Sequence, residues 1–251
     1  MIEGFDSPQP LLFESQCISC RMKVVIINGQ NHKGSTYRIA RMLAEKISTD
    51  IDEFFLPRDF GQFCTGCANC IKKSETLCPH YTNLQPVTKS IDEADVLILA
   101  SPVYVMHVSG PMKSFLDHYG YRFMLHRPEE RMFTKQAVCI ATAAGDGLKT
   151  TNKDMYDSLF YWGTGRIYTY GKIVHALSPG DVSGKTLREI DRETTALAGK
   201  IKRRAGNVKP GIMTRGYFLM MRFVQMNIIK KEADLAYWKR KGWDKKERPW
   251  K

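Results

Sequence analysis

The chain has 251 residues, 43% hydrophobic and 25% charged, enough to bury one substantial core plus appendages, and it has no apolar run long enough to cross a bilayer. Its first 21 residues carry Glu3, Asp6 and Glu14 and lack the apolar stretch of a secretion signal, so the expectation is a cytoplasmic protein. The net charge of +12 suggests a nucleic-acid binder until it is located: residues 1–199 hold 22 Lys plus Arg and 22 Asp plus Glu, whereas residues 200–251 hold 16 and 4. The body is neutral and only the tail is basic, which argues against nucleic acid as the partner of the body.

Residues 1–21 contain Pro8 and Pro10 and little periodicity, and are expected to be an extension outside the packed domain. Their Cys17-x-x-Cys20 pair is weak grounds for metal binding. The packed part is expected to start at Met22-Lys23, because Val24-Val25-Ile26-Ile27 reads as a strand buried on both faces. The strand is followed by Asn28-Gly29-Gln30-Asn31-His32-Lys33-Gly34-Ser35-Thr36, then by a helical pattern with Ile39, Leu43 and Ile47 on one face. In an open α/β sheet, ligands bind beyond the carboxyl ends of the strands, where a helix start offers free N–H groups and a positive dipole end. Gly29 and Gly34 let backbone approach an anion, while Ser35 and Thr36 add hydroxyls and cap the helix, so a phosphate is the natural ligand. Neither G-x-G-x-x-G nor G-x-x-x-x-G-K-[ST] is present, which argues against a dinucleotide fingerprint and an ATPase; an ordinary strand-to-helix turn is the alternative.

The pattern then predicts a helix over 35–48, a second strand over 51–56 stopped by Pro57, a loop rich in cysteine, and a helix over 84–93. A third buried strand covers 94–100 and ends at Ser101-Pro102-Val103-Tyr104, and Ser109-Gly110-Pro111 opens the next helix with proline in its first turn. A fourth strand over 137–142 leads through Ala143-Ala144-Gly145-Asp146-Gly147 into a helix ending near Phe160. A fifth strand over 167–176 places Tyr168 and Tyr170 on one face, and a helix over 183–204 opens at Ser183. Five alternations of strand and helix predict an α/β fold with a parallel sheet and helices on both faces, and the loops after strands one, three and four should meet in one crevice.

Three ordered motifs carry a resemblance. Asn28-Gly29 with Lys33-Gly34-Ser35-Thr36, then Ser101-Pro102-Val103-Tyr104 leading to Ser109-Gly110-Pro111-Met112-Lys113-Ser114-Phe115-Leu116-Asp117, then Thr142-Ala143-Ala144-Gly145, resemble the flavodoxin-like NAD(P)H-dependent FMN reductase family. The similarity is greatest to its branch with a cysteine-rich loop, which includes the iron-sulfur flavoproteins. It covers roughly residues 22–180 and implies a doubly wound five-stranded sheet that binds FMN and takes electrons from NAD(P)H. It also implies that Gly29, Gln30, Asn31, His32, Gly34, Ser35 and Thr36 hold the phosphate. Pro102, Val103, Tyr104, Val105 and Met106 would run along the isoalloxazine ring, and Thr142, Ala143, Ala144 and Gly145 would close its other edge. The chain departs from its relatives at Gln30, Asn31 and His32, where serine, proline and arginine are common, and at Ala144, where glycine is usual. His32 replaces the arginine's charge only when protonated. A flavin performs the redox chemistry itself, so no catalytic acid or base is assigned. Tyr104 is expected beside the ring, with backbone N–H groups near Val103 to Val105 facing its polar edge.

Cys64-x-x-Cys67-x-x-Cys70 has the spacing with which ferredoxins wrap a cubane cluster, and Cys78 precedes a proline as their fourth ligand does, though the gap before it is longer. A [4Fe-4S] cluster, free or redox-active thiols, and zinc all remain open for this loop. Cys139, inside a strand, reads as a small hydrophobe. In the tail, Tyr217, Phe218, Met221, Val224 and Ile228 recur at helical spacing among Arg215, Arg222, Lys230 and Lys231. Packing or homodimerisation is favoured over contact with an anionic membrane surface, and nucleic acid is the least favoured partner. The resulting division is an extension over 1–21, a flavodoxin-like domain over 22–205 and a basic helical arm over 206–251. The function expected is an FMN-dependent NAD(P)H oxidoreductase reducing a quinone, flavin, nitro compound or similar acceptor. The alternative is an iron-sulfur flavoprotein carrying electrons between redox proteins.

Overall fold

The computed structural model describes residues 22–174 and 182–251. Five parallel strands form one sheet in the order β2-β1-β3-β4-β5: β1 (Lys23–Asn28), β2 (Asp50–Phe55), β3 (Val96–Pro102), β4 (Gln136–Ala143) and β5 (Arg166–Ile173). The order reverses between β1 and β3, and there the doubly wound topology opens its crevice. Alternation along each strand divides the core into two layers. Val25, Ile27, Leu97, Leu99 and Cys139 face α3 (Tyr81–Glu93), α4 (Gly110–Asp117) and α5 (Leu148–Tyr161) through Leu84, Val87, Ile91, Phe115 and Leu159. Val24, Ile26, Val96, Ile98, Val138 and Ile140 face α1 (Ser35–Ile47) and α6 (Gly184–Lys202) through Ile39, Leu43, Ile47, Ile190 and Ile201. Cys139 is fully buried, and burial pushes its thiol up, in keeping with a packing role.

Several elements differ from their sequence expectations. α3 starts at Tyr81 and not at 84, because burial of Leu84, Val87 and Ile91 outweighs the one N–H that Pro86 forgoes inside the helix. The cysteine loop contains a short helix α2 (Asn69–Lys72) and a 3₁₀ turn (Glu75–Leu77). Tyr168 and Tyr170 share the face packed against α6, where the Tyr170 hydroxyl donates to Glu193 at 2.8 Å. The extension over 1–21 and Ala176 at the expected end of the fifth strand lie outside the described residues.

Beyond α6, α7 (Ile212–Val224), a π-helical turn (Gln225–Ile229) and α8 (Glu232–Arg240) fold back onto the body. Phe218, Met221, Trp238 and Trp243 form a third buried cluster with Leu125 and Phe133 of the segment before β4. The Trp238 indole donates to the His126 carbonyl at 2.9 Å. Asp234 is fully buried and accepts from His126 Nδ1 at 2.7 Å and from Arg127 at 2.5 Å.

Lys135, 2% exposed, is held by the backbone carbonyls of Asp92 and Ala94, and burial pulls its amine down to about 8 from an ordinary 10.5. Between those pH values the native chain has released a proton that the unfolded chain retains, so stability rises with pH across this window. Denaturant titrations against Lys135→Met should show the wild type gaining ~3 kcal/mol over the variant between pH 8 and 10.5. A constant difference between the two would show that the amine is not desolvated.

Candidate functional site

The turn after β1, the end of β3 and the end of β4 meet in one cleft of about 450 Å³, within the range of small-molecule sites. Its walls include Gln30, His32, Gly34, Ser35 and Thr36 from the first turn, Pro102, Val103 and Tyr104 from the second, and Thr142, Ala143 and Ala144 from the third. Thr36 Oγ1 and Thr142 Oγ1 lie 2.6 Å apart, joining the first and third turns. Gln30 is buried and its Nε2 donates to the His32 carbonyl at 3.2 Å, which shapes the loop before the helix.

The start of α1 differs from the expected arrangement. Gly34 is the N-cap and no side chain caps the helix, so Ser35 and Thr36 occupy its first helical positions and do not cap it. A helix start without a cap leaves its N–H groups free for an external acceptor. Gly29 does not line the cleft: a Cβ there would stand 2.8 Å from Ser109 Oγ and 3.2 Å from the Ala100 carbonyl oxygen. Its role is close packing, with Gly29 N–H donating to Ala100 O at 2.7 Å and its own carbonyl accepting from the Ser109 hydroxyl. Asn31 and Gly145 are exposed and are also absent from the cleft walls. Lys33, part of the first motif, also lines it, as does Val174, which was not assigned from sequence. Lys33 lies 5.3 Å from the Tyr37 ring and supplies a permanent cation where His32 supplies one only when protonated.

Tyr104 and His107 close a two-residue hairpin, Tyr104 N–H to His107 O at 2.9 Å and His107 N–H to Tyr104 O at 3.1 Å. At its tip Val105 and Met106 both adopt positive φ, 48° and 71°. Val103 N–H is occupied by Thr142 O at 2.9 Å. The amides of Val103 and Tyr104 are therefore used internally, and those of Val105 and Met106 are left to meet a ligand among the described residues, a narrower set than sequence suggested. The start of α5 holds the hairpin down: the Thr150 hydroxyl donates to Met106 O, and Asp154 takes His107 Nδ1 at 3.0 Å and Val108 N–H at 3.3 Å. Gly147 is required beneath it, because a Cβ there would stand 2.5 Å from Val103 Cγ1. No local sequence signal marked Thr150 or Asp154 for this task. Val105 is 95% exposed, so its side chain contributes little packing while its β-branch strains the left-handed backbone. Val105→Asn should raise Tm by ~2–4 °C in a thermal melt. An unchanged Tm would show that the turn relaxes in solution.

The cysteine loop is fastened to α4, the helix that follows the hairpin. Ser114 Oγ donates to Gln62 O at 2.6 Å, and His118 Nδ1 donates to Ser114 O at 2.8 Å while its Nε2 lies 2.9 Å from His80 Nδ1. The ligand atoms of Cys78, His80 and His118 fall within 4.8 Å of one another, two donors that sequence reasoning did not single out. Cys64 and Cys67 are exposed and Cys70 and Cys78 half-buried. The Cys70 thiol is pushed up first by burial and then by Cys78, Cys64 and Cys67. Cys67 is pushed down by the Asn69 backbone N–H. Burial pulls the His118 imidazole down, which favours its neutral form. Thiols and imidazoles are soft donors, suited to an iron-sulfur cluster or zinc and not to a hard cation, and among the described residues it is Cys78, His80 and His118 that stand together.

The molecule is thus a flavodoxin-like α/β protein whose carboxyl-edge cleft presents an open helix start and a rigid hairpin. Residues 22–175 match the model of the NADPH-dependent FMN reductases, and the chain belongs to that family. Among individual relatives, an iron-sulfur flavoprotein of Archaeoglobus fulgidus is 40% identical over 63 residues, 24% of this chain and 28% of its own length. Another, from Methanocaldococcus jannaschii, is 25% identical over 206 residues, 72% of this chain and all of its own length. The matched stretches span only 28%, 48% and 50% of three such relatives. In structure, an NAD(P)H:quinone oxidoreductase from Methanothermobacter marburgensis superposes with a TM-score of 0.54 at 18% identity, over 70% of this chain and 96% of that one. An FMN-dependent NADH-azoreductase from Bacillus anthracis superposes with a TM-score of 0.51 at 12% identity, over 70% and 99% of the two chains. At these identities the superpositions establish the fold.

Proposed function

We propose that the chain is an FMN-dependent NAD(P)H oxidoreductase that passes electrons to a small acceptor such as a quinone, flavin or nitro compound. The uncapped start of α1 carries the reading: its free N–H groups, Lys33 beside it and the Thr36–Thr142 contact fit a terminal phosphate. Bound FMN supplies the hydride and single-electron chemistry. The protein's part is to fix the phosphate, to hold Tyr104 on one wall of the cleft, and to offer the Val105 and Met106 amides from a hairpin that α5 keeps rigid.

A second reading rests on the spacing of the cysteines, Cys64-x-x-Cys67-x-x-Cys70 with Cys78 before a proline. With a [4Fe-4S] cluster on Cys64, Cys67, Cys70 and Cys78, the chain would exchange single electrons with a redox protein; its archaeal relatives carry the name iron-sulfur flavoprotein. Anaerobic purification followed by an absorption spectrum, with iron, sulfide and zinc assayed on the same sample, separates the two. Flavin bands without iron, together with NADPH or NADH oxidation in the presence of a quinone, support the oxidoreductase. Flavin bands with about four irons per chain support the carrier. A colourless protein that fails to take up added FMN sinks both.

A further inference from the structure

A second cleft, of about 610 Å³, opens between the end of α5, the start of β5 and the start of α7, far in sequence from the turns that form the first. Arg166, Lys209 and Arg215 line it, and among the described residues no carboxylate does. Arg166 spends one N–H on the Lys209 carbonyl at 3.1 Å, and the Arg215 guanidinium lies 5.9 Å from the Trp250 ring. α7 begins here, N-capped by Gly211 with no side-chain cap, so its free N–H groups and dipole add to the positive potential. Three cationic side chains and an open helix start at one place favour an oxyanion.

The surroundings restrict what carries the anion. Ile212 and Met213 at the cleft mouth are 88% and 76% exposed, and Leu219, Met220 and Phe223 continue the exposure at 47%, 52% and 61%. At helical spacing these five fall on one side of α7, opposite Thr214, Phe218 and Met221, which bury against the body. Arg215 and Arg222 border the stripe. A free phosphate ester would use the cations and leave the apolar stripe unexplained. A second copy of the chain would set two arms, each with 16 basic and 4 acidic residues, face to face. An anionic bilayer satisfies both halves, with headgroup phosphates in the cleft and apolar side chains in the acyl boundary. No described helix is long and apolar enough to cross a membrane, so the contact is peripheral.

We propose that the outer face of α7 and its basic cleft dock the protein on an anionic phospholipid surface. The test is co-flotation of the full chain with vesicles of phosphatidylcholine alone or mixed in equal parts with phosphatidylglycerol, at low and high salt. Three variants accompany it, Arg166→Gln with Lys209→Gln, Ile212→Ser with Met213→Ser, and Phe223→Ser, each checked for fold by circular dichroism and thermal melting. Binding to the mixed vesicles alone, reduced by salt, is expected. It should weaken roughly fivefold for each cation removed and fall in both apolar variants. Absence of binding, or equal binding to neutral vesicles, overturns the proposal. So does displacement by inorganic phosphate with no effect of the apolar variants, which would make the cleft a small-anion site. A dimer in light scattering that Phe223→Ser dissociates would instead assign the stripe to self-association.

Discussion

Gly34→Asp is expected to yield a folded protein that purifies without flavin and binds added FMN at least roughly 100-fold more weakly, because like charges placed in contact cost several kcal/mol. The substitution puts a carboxylate at the N-cap of α1, where the helix now has no side-chain cap. A carboxylate there would cap the free N–H groups itself and repel the phosphate, two effects with the same sign. Steric conflict is the smaller term: the nearest atoms to a Cβ at Gly34 are Gln30 Nε2 at 3.0 Å and the His32 ring at 3.1 Å, both ends of side chains. Gly34→Ala therefore serves as the control and should retain FMN within a few-fold. Fluorescence titration of FMN against the three proteins measures the effect. Stoichiometric flavin in the aspartate variant would show that the phosphate does not sit at this helix start.

The second large effect is expected at Asp234, in the arm. Its carboxylate is fully buried and joins His126 and Arg127, and Arg127 reaches on to the carbonyls of Cys70 and Ile71 and to Glu75, 3.6 Å away. One carboxylate thus fixes the arm to the body and, through Arg127, steadies the loop that bears the cysteines. Asp234→Ala should cost ~3–5 kcal/mol in denaturant unfolding, the usual loss when one partner of a buried ion pair is removed and the other is left uncompensated. Hydrogen exchange should quicken in α8 and around residues 70–78 together, with a red shift in the emission of Trp238 and Trp243. Asp234→Asn, which keeps an acceptor without the charge, should fall between. A loss below about 1 kcal/mol would mean that the aromatic cluster alone holds the arm.

The sequence by itself determined what depends on neighbours along the chain. Runs such as Val24 to Ile27, with helical spacing between them, specify strands and helices whatever lies across the sheet, because periodicity selects which face is buried. Ser109 and Ser183 act as N-caps as their positions implied, the one accepting from Met112 N–H and the other from Thr186 N–H. The cysteine spacing and the confinement of excess charge to the last fifth were equally legible. The parallel direction of the strands followed from strand and helix alternation, since each crossover helix returns the chain to the same end of the sheet.

Tertiary structure decided whatever required residues far apart in the chain to meet. Gly29 read as a phosphate glycine, and the Ser109 hydroxyl that packs against it lies eighty positions later in the chain. The Thr36–Thr142 contact, the hold of α5 on the 104–107 hairpin, and the convergence of Arg166, Lys209 and Arg215 have no local signature. The same holds for the arm: its apolar stripe is visible in the sequence, but which side is buried was settled by Leu125 and Phe133. Local propensity is a property of a short window, whereas a site is a property of the packing that brings several windows together.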